Sequence, residues 1–233
     1  MGTAVSEIIT DNAMVEIDDE RLRRQLQENP ALFFRRMWLY VKNAVPIFSN
    51  PPEMRERLAY TAPEFADYTW TAEASSEPTV VPTGKTGYEL MSVQINEIAD
   101  GQVISIPYDK ATYDAESGNV TFPAGIPDGT FFQIDFYTDG QFENELTYEE
   151  RRILTLCIAL VWYERFETNW LNMQPKVSSK SFSVGSESNH IRAMSERTAA
   201  RRAALFAEMN RYAQDVAYRT HFANGRYGNS TVF

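Results

Sequence analysis

The sequence predicts an α+β fold, a helical bundle with a long C-terminal helix and an inserted antiparallel β subdomain. Three features predict it. Apolar residues recur at three- and four-residue spacing near both ends, two-residue alternation with glycine turn dipeptides fills the middle, and a helix-opening capping box stands where the alternation stops. On this pattern the 233-residue chain divides into N-terminal helices of the helical body at 1–62, an inserted β subdomain at 63–141, central and long C-terminal helices at 142–223, and a flexible tail at 224–233.

In the amino-terminal third, Asn29-Pro30 and Asn50-Pro51 each place a side-chain acceptor at an expected N-cap and a proline at the first helical position, where its missing N–H costs nothing. The first of these helices carries Leu32, Phe33, Arg36, Met37, Tyr40 and Val41 near helical spacing, widened by Phe34 and Trp38. The second has a narrower stripe of Met54, Leu58 and Tyr60, and a shorter helix from about Asp19 to Glu28 precedes both.

From about Pro63 the pattern is β-type, punctuated by Asp100-Gly101, Ser117-Gly118, Asp128-Gly129 and Asp139-Gly140. Strands are expected over Tyr88 to Asn96, Val103 to Pro107, Asn119 to Phe122 and Thr130 to Tyr137, forming a small antiparallel sheet or sandwich. The last strand puts Phe132, Ile134 and Phe136 on one face and Asp135 on the other, where it should be solvated.

Helix resumes at Thr147-Tyr148-Glu149-Glu150, a capping box in which the threonine and the second glutamate each satisfy the other's free backbone donor. Ile153, Leu154, Leu156, Ile158, Leu160, Val161 and Trp162 make this helix apolar nearly all round, so it is expected at the centre of the bundle, with Glu164 to Asn172 emerging to solvent. After a Ser-rich loop at Val177 to Glu187, a long helix is expected from about Asn189 to Phe222. Its seam is Ile191, Met194, Thr198, Leu205, Met209, Tyr212 and Val216. Ala199, Ala200, Ala203, Ala204, Ala207, Ala213 and Ala217 form a second surface that a neighbouring helix can approach closely.

A net charge of −10 and a pI near 4.8 make nonspecific binding to nucleic acid or anionic membranes unfavourable for the average surface. The single cysteine, Cys157, excludes an internal disulfide framework. Met1 to Asp11 lacks a basic region followed by an apolar stretch, so no secretory signal is expected and synthesis in a cytoplasm is. The longest apolar run, Ile153 to Tyr163, falls short of the roughly 20 residues a bilayer requires.

No constellation points to catalysis, a cofactor or a metal, and a non-enzymatic role is expected. His190 and His221 lie about 45 Å apart if one helix carries both, and no second cysteine or His-x-x-x-His pair supports zinc. Ser186, Ser188 and His190 are close in sequence, but a capping serine beside a surface histidine explains them without a nucleophile elbow. Asp135 and Asp139 are paired carboxylates of the kind a glycosidase uses, against which Asp139-Gly140 reads as a turn. Asp109 to Glu116 lacks the regular calcium-loop pattern, and no phosphate-binding glycine loop occurs. The basic residues of the last helix, Arg192, Arg197, Arg201, Arg202, Arg211 and Arg219, suit a solvated helix, an acidic neighbour or a nucleic-acid channel.

Several short runs resemble the head-to-tail connector (neck or adaptor) proteins of tailed bacteriophages. They are Asn29 to Met37, Ala44 to Phe48, Pro51 to Met54, Gly118 to Pro123, Asp135 to Gly140, Trp162, Asn169 to Asn172, and Ser188-Asn189-His190 opening the long helix. The resemblance implies a structural virion protein, made in the host cytoplasm and placed in the neck between head and tail. It implies a homo-oligomeric, twelve-fold ring below the portal protein and above a downstream neck or tail protein. Genomic DNA would pass through the channel without sequence-specific binding, and no membrane is involved. In such a ring each contact joins one patch to a different patch on the next copy. Arg197, Arg201 and Arg202 are then candidates for the subunit or portal interface. Arg226, Tyr227 and Phe233 are candidates for a tail that orders on the portal, unless that tail is a frayed end. The smallest adaptors are all helical, so the β region has no role assigned by the resemblance. A competing expectation is a carbohydrate-binding β-sandwich module with helical flanks, for which Tyr68, Trp70 and Tyr88 would form an exposed platform.

Overall fold

The computed structural model describes residues 2–99, 102–173 and 184–223, and its fold is α+β, with a helical body and antiparallel sheets. The chain enters beside its own middle. Thr3 exchanges backbone hydrogen bonds with Phe142 and Asn144, and a Cβ on Gly2 would fall 1.8 Å from the Phe142 carbonyl oxygen, so only glycine fits there.

A helical rod follows that the sequence reading does not anticipate. It is built from α1 (Val5–Glu7), a π-helical stretch Ile8–Ala13, and α2 (Met14–Ile17). Val5, Ile8, Ile9, Ala13, Met14 and Ile17 are buried along it. The polar Thr10, Asp11 and Asn12 interrupt the apolar pattern, and the wide π turn realigns the remainder. Asp139, not a residue of the rod, caps its first turn by accepting from the Ser6 N–H at 3.1 Å and the Ser6 hydroxyl at 2.5 Å. The turn reading of Asp139 is therefore incomplete.

Asp19 caps α3 (Glu20–Glu28), and Asn29 caps α4 (Pro30–Ala44) by accepting from the Leu32 N–H at 2.9 Å, as the Asn-Pro signal predicts. Phe33, Met37, Tyr40 and Val41 are buried on α4, whereas Leu32 is 47% exposed. The second Asn-Pro signal is overturned. The Asn50-Pro51 bond is cis, the short helix α5 (Met54–Arg57) starts three residues later, and the Asn50 amide donates to Asn210 at 2.8 Å. The cap position of α5 falls to Glu53, so Asn50 stands too far ahead of the helix to accept from its first backbone donors. Met54 and Leu58 are buried as expected.

The insertion hangs from a two-stranded neck, β1 (Tyr60–Thr61) paired with β9 (Gln141–Phe142). Within it, β2 (Glu64–Thr71), β8 (Phe131–Thr138), β4 (Glu89–Ala99) and β5 (Gln102–Pro107) form one antiparallel sheet in the order β2-β8-β4-β5. A second sheet, β3 (Thr79–Pro82), β7 (Asn119–Phe122) and β6 (Thr112–Asp114), is ordered β3-β7-β6. Their shared core holds Val81, Val93, Val120, Phe122, Phe132, Ile134 and Phe136. The predicted strands are present. Glycines at 118 and 129 adopt the positive φ that their turn dipeptides require.

The outer face of the larger sheet is partly covered. α4 lies across it, with Phe34 5.5 Å from Tyr137 and Arg35 paired to Asp67 at 3.1 Å. Asp135 is consequently 2% exposed, not solvent-facing, and accepts from Ser92 at 2.8 Å and Gln133 at 3.2 Å. Period-two alternation distinguishes two faces but not which of them another element covers.

The central helix α6 (Tyr148–Met173) starts with the predicted capping box, Thr147 N–H to Glu150 at 2.7 Å and Glu150 N–H to the Thr147 hydroxyl at 3.3 Å. Ile153, Leu154, Cys157, Ile158, Ala159 and Leu160 are buried against α4, the amino-terminal rod and α7 (Val184–Ala223). α7 begins inside the segment expected to be a Ser-rich loop, because no proline interrupts helix there.

Glu150 does more than cap. Its buried carboxylate also accepts from Arg57 at 2.5 and 3.0 Å and from the Tyr212 hydroxyl at 2.8 Å. Burial alone would raise its pKa, but the hydrogen bonds from Arg57, Thr147 and Tyr212 outweigh burial and hold it below the ordinary value. A depressed carboxyl pKa stabilises the fold above the unfolded-state value and loses that stabilisation as pH falls through the lower folded value. Glu150→Gln is therefore expected to cost about 2 kcal/mol at neutral pH, with the gap to wild type closing below about pH 4; urea unfolding at both pH values checks it.

Candidate assembly surface

α6 and α7 run antiparallel, as their cross-links show in order: Arg219 to Glu149 at 3.7 Å, Tyr212 to Glu150, Arg152 to Glu208 at 2.7 Å, and Arg202 to Glu164. Leu205, Met209 and Tyr212 are buried in the seam at the expected three- and four-residue spacing, and Val216 packs beside them. The stretch of α7 from Arg192 to Ala207 leaves more of itself uncovered. Ala199, Ala200, Ala203, Ala204 and Ala207 are exposed, and Phe206 is 48% exposed among them.

Where this stretch approaches α6, a groove of about 260 Å³ is lined by Leu156, Leu160, Tyr163, Arg201, Ala204 and Leu205. The Arg201 guanidinium sits 3.6 Å from the centre of the Tyr163 ring, a cation–π contact. Its neighbour Arg202 is held by Glu164, and that partner keeps the guanidinium pKa raised. Arg201 and Arg202 are thus already engaged within the chain. Arg197 is exposed and has no partner among the described residues. Arg192 pairs with Glu196 one turn on, and Arg211 with Glu208. Arg226, Tyr227 and Phe233 lie outside the described residues, as do the side chains of Ser186, Ser188, His190 and His221.

Sequence reasoning missed Tyr163 and Glu164 as partners of the arginine face. The partner of Arg202 lies 38 positions away on another helix, and only the antiparallel register of α6 and α7 brings the two together. The alternation of arginine with Glu196 and Glu208 signals a charged face without indicating which charges are used at home.

The chemistry available elsewhere is limited. Cys157 is buried, and burial pushes its thiol up to about 12, which withholds the reactive thiolate at neutral pH. Asp135 and Asp139 are tied into separate hydrogen-bond networks under α4 and at the rod. Among the described residues, no three His, Cys, Asp or Glu side chains are grouped to hold a metal ion, and no helix is long and apolar enough to cross a membrane. Tyr68, Trp70 and Tyr88 form no flat exposed platform. All three pack against the sandwich core, and Trp70 stacks on Phe132 at 5.5 Å and lies 4.6 Å from Phe122.

No protein-family model matches the chain, and no curated protein matches it.

The seam and its charged margin carry unequal energies. Leu205→Ala should cost about 3 kcal/mol, the range for a buried leucine, whereas Arg202→Ala, whose pair is partly exposed, should cost under about 1 kcal/mol; urea titrations of the two variants make the comparison.

Proposed function

We propose that the chain is a non-enzymatic head-to-tail adaptor of a tailed bacteriophage, forming a ring below the portal that joins capsid to tail and surrounds the DNA exit channel. The observation that carries this reading is α7. It is a 40-residue helix, about 60 Å long, anchored along one seam to α6 while the stretch from Arg192 to Ala207 presents exposed alanines, Phe206 and Arg197. Small exposed residues let a second helix approach closely. A closed ring of identical copies needs such a surface, because each copy must offer one patch to the next.

Charge distribution supports an outward position for the insertion. Lys85 and Lys110 are the only basic residues between 63 and 141, so a β subdomain rich in Asp and Glu would be repelled by DNA. The helical body holds every arginine except Arg226 of the tail and is the part suited to the channel side and to the portal. The candidate tail at 224–233, with Arg226, Tyr227 and Phe233, follows α7 in the sequence and would supply the portal contact.

Electron microscopy of virions, or of the purified chain mixed with its portal protein, tests the proposal directly. A ring of copies below the portal is expected; absence of the chain from the particle rejects the adaptor reading. Arg197→Glu should lower incorporation at least tenfold while leaving the thermal midpoint of the free chain within about 1 °C, since an exposed, unpaired charge contributes little to stability. Normal incorporation of that variant would remove Arg197 from the interface.

A further inference from the structure

The sheet β2-β8-β4-β5 ends in two unlike edges. β5 carries no charged residue and no bulge, and its Ile104 and Ile106 are 47% and 42% exposed. Apart from Pro107 at its end, this uncharged, apolar, regular edge lacks the usual protections against pairing with another strand. β2 carries Glu64 and Asp67, so two β2 edges would repel each other.

The backbone groups on both edges face outward in a compatible phase. The Tyr108 N–H donates to the Val93 carbonyl at 2.8 Å, and pairing alternates from there along β4 and β5, so residues 103, 105 and 107 turn their backbone groups away from the sheet, Pro107 offering its carbonyl alone. The Ala72 N–H donates to the Thr130 carbonyl at 2.9 Å, and by the same alternation residues 67, 69 and 71 of β2 turn theirs outward. Successive strands are antiparallel and four in number, so β5 runs opposite to β2.

Side chains carry the same pattern. A polar row crosses the outer face from edge to edge: Thr69 opposite Gln133, Gln133 accepting from Asn96 at 3.2 Å, and Asn96 accepting from Ser105 at 2.6 Å. The row ends in a hydroxyl at both edges.

We propose that this sheet continues from one copy of the chain into the next, the β5 edge of one pairing antiparallel with the β2 edge of the second, Ser105 opposite Thr69. In that register Ile104 meets Trp70 and Ile106 meets Tyr68 on the inner face, aliphatic–aromatic pairs of the kind that stabilise sheets. Lys110, exposed and without a partner among the described residues, comes level with Glu64. The contact is heterologous, so it propagates and closes only if the rotation per copy allows. It names the copy-to-copy contact of the ring proposed above and rests on that reading for closure alone.

Thr69→Cys and Ser105→Cys, made as separate variants of the full chain, test it. Both positions are exposed, and the native Cys157 is fully buried and silent. Directly opposite residues in a hydrogen-bonded antiparallel pair lie about 5.5 Å apart, within disulfide reach. After mild oxidation, a disulfide-linked dimer is expected in an equal mixture of the variants and in neither alone. A dimer from Ser105→Cys by itself would mean that β5 pairs with β5 about a two-fold axis and overturns the proposal; no dimer in the mixture overturns it too. Native mass spectrometry of the wild-type chain separates the two readings. Rings without the cross-link retire the edge pairing alone, whereas the cross-link in open chains retires the ring and leaves the pairing.

Discussion

The buried carboxylate of Glu150 is the constraint on which the helical body depends. Four donors converge on it from three elements: the Thr147 backbone at the start of α6, two nitrogens of Arg57 at the end of α5, and the Tyr212 hydroxyl on α7. A buried charge is tolerated only when it is paired and its lone pairs are occupied. Each donor therefore fixes the position of its own element relative to the others. Tyr212 sets where α7 lies along α6, and the remaining cross-links follow in antiparallel order. Arg57 and its neighbour Asn144 set the level at which the chain leaves the body for the β subdomain and returns.

Attachment of that subdomain is similarly over-determined. The β1–β9 neck is short, but the amino terminus adds a third extended segment beside it, and Asp139 caps the rod that follows. α4 then covers the outer face of the larger sheet through Phe34, Tyr137 and the Arg35–Asp67 pair. The two hydrophobic cores are distinct, yet α4 contributes to one while shielding the sheet of the other. Such bracing suits a subunit whose insertion and body must be held in fixed register.

What is left over is surface. The body spends one seam of α7 on itself and keeps the rest, and the sheet closes neither of its edges. Such surface is packing and hydrogen-bonding capacity that a second copy of the chain could use. The proposed adaptor ring would use it at both levels, helix to helix in the body and strand to strand in the insertion. Arg201 and Arg202 sit at the boundary between the two uses, since Tyr163 and Glu164 already hold them in place.

Much was legible in the residues alone. Local signals determined Asn29 as a cap, Thr147 and Glu150 as a capping box, Phe132, Ile134 and Phe136 as one buried face, and Leu205, Met209 and Tyr212 as the seam of α7. Each depends on neighbours within about four positions, which is the range over which helix and strand periodicity operates. Tertiary structure alone decided the rest. Asp135 is buried because α4 covers it, Asp139 accepts from Ser6 in a helix 133 positions earlier, the Asn50 amide donates to Asn210, and the arginine face is partly used by α6. A polar side chain carries no mark of which distant donor will satisfy it; that is settled when the elements pack and buried polar groups must find partners.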